Sequence, residues 1–275
     1  MAIVKRNPRN PSLRFQTFVS SEDITTNTPE KSLTIGLKKH GGRNAYGRIT
    51  VRHRGGGAER RYRVIDFSRS IRDVTGKITS VEYDPNRNVR ISLVFYENGA
   101  KRYILLPEGL GVGDMVVAGK TVEVKVGNCL PLRSIPVGFD VHNIEIKPGC
   151  GGTFARSAGT SAQLIGKSEE YATLRMPSTE VRMVHLDCWA TVGVLGNADF
   201  KNICYGKAGR IRNKGFRPSV RGMAMNPVDH PHGGGEGRSK SGAHPQTPWG
   251  KGCKGTRTRV RKNSLILRRR KSKKK

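Results

Sequence analysis

Positive charge is concentrated at the two ends of this chain, and that distribution limits what the ends can fold into. Residues 1–60 hold 12 lysines and arginines against 4 acidic residues, and residues 201–275 hold 22 against 2. Residues 61–200, with 17 against 15, have the charge balance of an ordinary folded domain. Because residues 201–275 are also poor in apolar side chains, we expect that segment to be extended or disordered when free and to become ordered on a polyanionic partner.

The sequence also excludes several classes of protein. It has no run of about 18 apolar residues, which a membrane span requires, and residues 1–14 lack the apolar segment of a secretory signal. The five cysteines form no Cys-x-x-Cys pair, which disfavours a disulfide framework or a zinc ribbon and favours a reducing compartment. We therefore expect no membrane partner and a cytoplasmic location.

The middle of the chain carries patterns of β structure. Residues 121–126 alternate strictly between apolar and polar, and two apolar runs, 89–95 and 103–106, surround Asn98-Gly99. An Asn-Gly pair between such runs predicts a hairpin, since a type I′ turn requires positive φ at both central positions. Shorter strands are predicted at residues 62–67, 77–83, 115–117, 139–146, 171–176, 181–186 and 188–195.

The strand pattern favours two small β-barrels over a parallel sheet, because many short strands follow one another closely. A shift of the apolar phase at His142-Asn143 predicts a bulge or bend there. Charge and pattern together divide the chain into four parts: a basic N-terminal extension (1–59), a first β domain (60–128), a second β domain (129–200) and a Gly/Pro-rich basic C-terminal extension (201–275).

Arginines surround three consecutive glycines in residues 48–61. Glycine lets a backbone approach a phosphate closely, and arginine binds phosphate through two parallel hydrogen bonds. The alternative is a flexible loop with solvated charges, but the net charge of +30 favours phosphate binding. A second glycine-rich loop, residues 149–159, offers Arg156 and Ser157 to phosphate or ribose.

Nucleotide-binding fingerprints fail in this sequence. Gly166-Lys167-Ser168 matches the end of a P-loop, but Ser161 stands where the first glycine is required. Residues 169–176 also have the pattern of a strand where a P-loop continues into a helix. We therefore expect no NTPase site and no small-molecule substrate.

The most unusual stretch is Asn-Pro-Val-Asp-His-Pro-His-Gly-Gly-Gly-Glu-Gly at residues 226–237. His230 and His232 lie close to Asp229, and histidine serves as a general base or a metal ligand. No nucleophile is evident, and a metal site would need further ligands such as His244. We favour a turn-rich loop whose imidazoles stack on bases or bind phosphates.

Two dense basic runs, residues 207–221 and 251–275, frame this stretch, and Trp249 lies just before the second. A basic run alone also fits a nuclear signal, a membrane patch or a solvated tail. Combined with a Gly/Pro segment and a tryptophan that can stack on a base, the runs favour insertion among nucleic-acid strands.

Several of these motifs carry a resemblance to a known family. RITVRHRGGG (48–57), ARSAGT (155–160) and VRGMAMNPVDHPHGGGEG (220–237) resemble signatures of the second protein of the large ribosomal subunit. HPQTPWG (244–250) resembles the bacterial-type branch of that family. The resemblance runs from about Ser32 to the C terminus, and it implies an OB-fold barrel followed by an SH3-like barrel with long basic extensions.

The resemblance also implies a function. A member of this family is a structural component of the large subunit that binds large-subunit ribosomal RNA near the peptidyl-transferase region and supports subunit assembly, subunit association and tRNA binding. Neighbouring ribosomal proteins would be partners, and tRNA and the small subunit would be reached indirectly. The expected location is a cytoplasmic or an organellar ribosome. The resemblance implies no enzyme, and no cofactor other than Mg²⁺ associated with the RNA.

The predicted RNA contacts are Arg43, Arg48, Arg52, His53, Arg54, Gly55, Gly56, Gly57, Arg61, Arg156, Ser157, Lys207, Arg210, Arg212, Lys214, Arg217, Arg221, Asn226, His230, His232, Gly233, Gly234, Gly235, Arg238, His244, Trp249, Lys251, Arg268, Arg269 and Arg270. The resemblance implies an RNA-positioning role for His230. Two alternatives remain. One is an enzyme, using His230 in peptidyl transfer or Asp229 and His232 in a nuclease, and the other is a DNA-compacting protein.

Overall fold

A computed structural model describes residues 3–236, 242–256, 258–259, 261 and 263–270. Its strands are β1 (Ile3–Lys5), β2 (Thr17–Val19), β3 (Thr34–Gly36), β4 (Arg61–Arg63), β5 (Gly76–Glu82), β6 (Ile91–Tyr96), β7 (Lys101–Leu105), β8 (Met115–Val116), β9 (Cys129–Pro131), β10 (Asp140–His142), β11 (Ile144–Glu145), β12 (Gly152–Phe154), β13 (Ala162–Lys167), β14 (Tyr171–Arg175), β15 (Val181–His185), β16 (Trp189–Val192) and β17 (Ile266–Arg268). The helical segments are one α-helix, α1 (Ala208–Asn213), and the 3₁₀ turns Lys31–Leu33, Ala198–Asn202 and Gly222–Ala224. In the described part of the chain, no helix has the length and apolarity to cross a membrane.

The chain forms two compact units. Unit 1 comprises the described residues of Met1–Lys38, Glu59–Lys207 and Ser264–Lys275. Unit 2 comprises those of Lys39–Ala58 and Ala208–Asn263. Each unit therefore draws on both ends of the chain. The four-part division made from charge and pattern stays a prediction.

Unit 1 is built on two antiparallel sheets. The first has the strand order β7-β6-β5-β8, and the second has the order β17-β15-β14-β13-β10-β16-β9. Three two-stranded pairs, β1–β2, β3–β4 and β11–β12, complete the unit. This mostly β architecture confirms the expected OB-fold barrel followed by an SH3-like barrel, and the antiparallel pairing confirms the preference over a parallel sheet.

The first sheet buries both of its faces. Successive side chains of a strand point to opposite faces, so Ile91 and Leu93 pack in one apolar cluster, while Val94 and Tyr96 pack in another. A third cluster fills the second barrel with residues of β9, β10, β13, β14, β15 and β16. The residues predicted as strand cores therefore supply the interior of unit 1.

The predicted hairpin at Asn98-Gly99 forms, but its turn type is different. Of this pair only Gly99 has positive φ, at 79°. The Gly99 N–H donates to the Tyr96 carbonyl at 2.9 Å, and the Tyr96 N–H donates to Ala100 at 3.0 Å. The loop thus has three residues, with a glycine in the left-handed position, and the expected type I′ turn was wrong.

The strand predicted at residues 121–126 was also wrong. The segment is irregular, although Val122 and Val124 pack against the core of the second barrel. Val126 is exposed. The alternating pattern therefore reports burial of two valines on a connecting segment, and burial alone does not supply the neighbouring backbone that a strand needs.

The predicted bend at His142-Asn143 is confirmed. Strand β10 ends at His142, Asn143 has a φ of +50°, and β11 begins at Ile144. His142 is almost fully buried, and its Nδ1 lies 2.7 Å from the Gly193 carbonyl oxygen. Burial lowers the pKa of this imidazole to about 4. His142 is therefore neutral at pH 7.

The C-terminal segment is more structured than expected. Residues 208–213 form α1, and β17 adds to the edge of the second sheet beside β15. The Met183 N–H donates to the Leu265 carbonyl at 2.7 Å, which extends this edge pairing. The low apolar content did not reveal this strand because an edge strand is held mainly by its backbone hydrogen bonds.

Candidate nucleic-acid interface

Unit 2 concentrates the positive charge of the protein. Its two sequence segments hold 18 lysines and arginines against two acidic residues, whereas unit 1 holds 33 against 19. The predicted contacts in unit 2 are Arg43, Arg48, Arg52, His53, Arg54, Gly55, Gly56, Gly57, Arg210, Arg212, Lys214, Arg217, Arg221, Asn226, His230, His232, Gly233, Gly234, Gly235, His244, Trp249 and Lys251. The fold thus groups most of the predicted contacts, although 149 residues of sequence, 59–207, separate the two segments of unit 2.

The arginine-glycine loop pairs directly with the segment that follows α1. The Gly55 N–H donates to Gly215 at 3.0 Å, the Arg217 N–H donates to His53 at 3.0 Å, and the Ala58 N–H donates to Asn213 at 2.8 Å. These backbone bonds fix residues 53–58 along residues 213–217. The loop is therefore shaped by a distant part of the chain.

Gly57 is required for this pairing. Its φ is +94°, and a Cβ at this position would lie 2.8 Å from the Gly215 nitrogen and 3.0 Å from the Asn213 carbonyl oxygen. Both are backbone atoms, which cannot move aside as a flexible side chain can. The sequence predicts that this glycine lets the backbone approach a phosphate, and the structure gives it a packing role within the protein.

Arg54 is held by an aromatic ring in the same pairing. Its guanidinium carbon lies 4.5 Å from the centre of the Phe216 ring, and the two residues form an antiparallel bridge. Arg54 is nevertheless exposed. A cation fixed on one face by a ring and open to solvent on the other is oriented for a phosphate or a base.

Unit 2 has no hydrophobic core in the part that the structure describes. All of the buried apolar residues belong to unit 1, and the only buried described residue of unit 2 is His230, which is 8% exposed. Hydrogen bonds and the contact between Arg54 and the Phe216 ring therefore hold the described part of this unit, while its like charges repel one another. An anionic partner would relieve that repulsion.

The rings of the two histidines in the glycine-rich stretch accept hydrogen bonds from backbone N–H groups of unit 2. The His232 N–H donates to Nδ1 of His230 at 3.0 Å, and the Gln246 N–H donates to Nε2 of His232 at 2.8 Å. Their ring centres lie 5.2 Å apart. Each ring therefore accepts a backbone hydrogen bond at one of its nitrogens, which fixes the orientation of both imidazoles within the loop. Gly222 lies against the His230 ring so closely that a Cβ would overlap it.

A cavity of about 530 Å³ lies beside these histidines, within unit 2. Apolar atoms of Met223 and Pro245 line it together with Arg221. Nδ1 of His232 is buried without a hydrogen-bond partner. Among the described residues, no three His, Cys, Asp or Glu side chains are grouped so that they could hold a metal ion. Among the described residues that line the cavity, the arrangement offers hydrogen-bond donors and a cation, and no nucleophile lies beside a base.

The remaining predicted contacts lie mainly in unit 1. Arg156 donates to the Gly152 carbonyl at 3.0 Å and lies 4.3 Å from the Phe67 ring centre. Ser157 is exposed, and both residues line a cavity of about 500 Å³. The other exposed residues are Arg61, Lys207, Arg268, Arg269 and Arg270. Arg238 lies outside the described residues.

The glycine-rich loop of unit 1 is fixed by a residue that belongs to none of the sequence motifs, Glu145. The buried carboxylate of Glu145 accepts N–H groups from Gly149, Gly151 and Trp189, at 3.2, 2.9 and 3.0 Å. A carboxylate that gathers three backbone donors holds a loop in one conformation. No sequence signal marked Glu145, because its partners come from two separate segments.

Tyr46 is a second functional candidate absent from the predicted contacts, and it is 89% exposed at the tip of a loop in unit 2. The signal was present, since this tyrosine lies between Arg43 and Arg48 in a segment without acidic residues. Such an aromatic residue among arginines is typical of nucleic-acid contacts.

Comparison with models of protein families identifies the family to which the chain belongs. The model of "Ribosomal Proteins L2, RNA binding N-terminal domain" matches residues 30–118, and that of "Ribosomal Proteins L2, C-terminal domain" matches residues 125–250. Together they cover most of the chain. The protein belongs to the ribosomal protein L2 family. It is accordingly a structural, RNA-binding protein of the large ribosomal subunit, and its partners are ribosomal RNA and ribosomal proteins of that subunit.

Proposed function

We propose that this member of the L2 family binds large-subunit ribosomal RNA through unit 2, near the peptidyl-transferase region, and thereby supports subunit assembly, subunit association and tRNA binding. The observation that carries the proposal is the joining of two basic segments into one unit that has no apolar interior among its described residues. Phosphates can neutralise the repulsion within such a unit, so RNA binding and folding of the unit reinforce each other.

The predicted contacts have separate roles in this proposal. The arginines of residues 48–54 and 210–221 bind phosphates, while Trp249, which is 75% exposed, stacks on a base. Arg156 and Ser157 add a contact from the second barrel. His230 positions its loop through protein contacts. Recognition of this type depends on RNA shape and unpaired junctions.

Unit 1 is the rigid platform of the proposal. Three apolar clusters stabilise it, and its charge is nearly balanced over residues 61–200. We propose that it contacts neighbouring ribosomal proteins and that it affects tRNA and the small subunit indirectly, through the RNA it organises. The HPQTPWG motif supports a ribosome of the bacterial type. Mg²⁺ would be held by the RNA, with no cofactor held by the protein.

Reconstitution of large subunits without this protein tests the proposed role. Adding the wild-type chain is expected to restore particle sedimentation, association with small subunits and tRNA binding. A variant with Arg48, Arg52 and Arg54 each replaced by Gln is expected to restore them poorly, because it removes three cations from the paired loop. The proposal would be contradicted if particles reconstituted without the protein had the same sedimentation, association with small subunits and tRNA binding as particles that contain it.

The enzymatic alternative assigns catalysis to His230. Its burial and its hydrogen bond to the His232 backbone favour a positioning role instead. We expect His230→Gln to lower incorporation of the protein into particles, while peptide-bond formation per assembled particle stays within about twofold of wild type. A loss of turnover in fully assembled particles would favour the enzyme.

The DNA-compacting alternative makes a different prediction. It requires equal affinity for duplex DNA and for folded RNA, because charge alone would drive binding. Filter binding of the full chain to large-subunit ribosomal RNA, with duplex DNA as competitor, separates the two. Preference for the RNA supports the proposal, and equal competition by DNA contradicts it.

A further inference from the structure

We infer that Tyr46 is a base-stacking residue that takes an unpaired base of large-subunit ribosomal RNA. The inference rests on the proposed function and adds to it a contact residue that the sequence motifs did not reveal. It is based on three features of the described structure: the rigidity of the loop tip, the exposure of the ring and the charge around it.

The loop tip is closed by its own hydrogen bonds. The side-chain oxygen of Asn44 accepts the N–H groups of Tyr46 and Arg48, each at 3.0 Å. The Asn44 N–H donates to the Arg48 carbonyl at 3.0 Å, and the Gly47 N–H donates to the Asn44 carbonyl at 3.0 Å. Gly47 has a φ of +75°, which a larger residue would adopt only with strain. The tip therefore keeps its shape without any contribution from the tyrosine ring.

The Tyr46 ring is 89% exposed, which makes it the most exposed aromatic side chain in the described residues. Ile49 and Val51, in the same loop, are 60% and 53% exposed. Covering an exposed apolar ring with another flat apolar surface removes both from water and lowers the free energy of the complex. The tip presents such a ring on a rigid support, so covering it costs little ordering of the protein.

The charge around the ring identifies the surface that covers it. Residues 39–58 hold five lysines and arginines and no acidic residue. Arg43 and Arg48, on either side of the tip, are both exposed. Cations on both sides attract phosphates, and the bases attached to those phosphates then lie within reach of a ring between them. Every base has a flat π face, so stacking requires only that the base be unpaired.

Filter binding of the full chain to transcribed large-subunit ribosomal RNA tests the inference. Tyr46→Ala is expected to weaken binding about 10-fold, the usual effect of losing one stacked base. Tyr46→Phe keeps the ring and is expected to stay within about twofold of wild type. Tyr83→Ala removes a tyrosine of unit 1 that is 52% exposed, and it serves as the matched control with no expected effect. The dependence of affinity on salt should be unchanged by Tyr46→Ala, because no phosphate contact is lost.

Several results would overturn the inference. Wild-type affinity of Tyr46→Ala would show that the ring covers no base. A loss in Tyr46→Phe equal to that in Tyr46→Ala would assign the effect to the hydroxyl group. A lower free energy of unfolding in Tyr46→Ala would assign it to the fold. If the wild-type chain does not prefer ribosomal RNA over duplex DNA, both the proposed function and the inference are wrong. If the wild-type chain prefers ribosomal RNA and Tyr46→Ala binds it with wild-type affinity, only the inference is wrong.

Discussion

The two units of this protein show two ways of holding a chain together. Among its described residues, unit 1 buries 33 apolar ones, and its excess of positive charge is spread over a larger number of residues than that of unit 2. Unit 2 buries one described residue, a histidine, and carries 18 cations against two acidic residues. Unit 1 can therefore be stabilised by the hydrophobic effect, whereas the charge of unit 2 opposes its own compaction until an anion is bound. The comparison leads us to expect that the backbone pairing of unit 2, which has no apolar core among its described residues, is stabilised by the RNA it binds.

The largest expected effect comes from truncating a buried side chain in the core of unit 1. Leu174 is fully buried in the second barrel, and Leu174→Ala is expected to lower the free energy of unfolding by about 4 kcal/mol, through lost burial and a residual cavity. Met223→Ala in unit 2 removes a side chain that is 41% exposed and is expected to change it by less than about 0.5 kcal/mol. Urea denaturation followed by Trp189 fluorescence, in a Trp249→Phe background, measures both. Equal effects of the two substitutions would contradict the comparison.

The next effect is a pH dependence that belongs to unit 1. The pKa of His142 is lowered to about 4 by burial, while in the unfolded chain it has its ordinary value of 6.5. As the pH falls below about 6.5, the His142 imidazole therefore becomes protonated in the unfolded state while it stays neutral in the folded state. The free energy of unfolding is expected to fall by about 3 kcal/mol between pH 6.5 and 4 for this reason.

The His142 contribution is isolated by comparing variants. His142→Gln should remove this part of the slope of unfolding free energy against pH, whereas His40→Gln, at an exposed position of unit 2, should leave the slope unchanged. Urea titrations at a series of pH values provide the slopes. An unchanged slope in His142→Gln would show that this imidazole is not held neutral in the folded protein.

A smaller effect is expected from separating the two segments of unit 2. Gly57→Ala places a Cβ against the backbone of Gly215, so the loop can no longer lie along residues 213–217. We expect about 10-fold weaker RNA binding, equal to about 1.4 kcal/mol. Gly255→Ala is the matched control, since Gly255 also has positive φ but no atom within 4 Å of its added Cβ. Equal losses in both variants would assign the effect to backbone strain alone.

The smallest effect is expected from a single exposed cation. Arg48→Gln should weaken RNA binding a few-fold and reduce the slope of log affinity against log salt by about 0.7 to 0.9, the contribution of one phosphate contact. Arg175→Gln removes an exposed arginine of unit 1 and should leave the slope unchanged. Filter binding over a series of salt concentrations measures both slopes. If only Arg175→Gln reduced the slope of log affinity against log salt, the phosphate contacts would be assigned to unit 1.

The sequence predicted the elements whose signals are local. The hairpin around Gly99 and the bend at Asn143 follow from a few neighbouring residues, and both were located correctly. The turn type at Asn98-Gly99 was missed because a three-residue loop satisfies the same strand pairing with only one positive φ.

The sequence did not predict the pairing that forms unit 2. Residues 53–58 and 213–217 meet through backbone hydrogen bonds, and backbone groups leave no pattern in a sequence. The motifs identified arginines, glycines and histidines as candidate RNA contacts, which stay predictions. The structure adds a different role for some of them, since Gly57 packs against backbone and His230 supports its own loop.

Hydrogen exchange of the full chain, with and without large-subunit ribosomal RNA, tests the difference between the units most directly. The amides of Gly55, Ala58 and Arg217, all hydrogen-bonded in unit 2, are expected to exchange fast in the free protein and at least about 100-fold more slowly in the complex. The amides of β6 should be strongly protected in both. Equal protection of Gly55, Ala58 and Arg217 with and without RNA would show that unit 2 is stable by itself, and it would contradict the account.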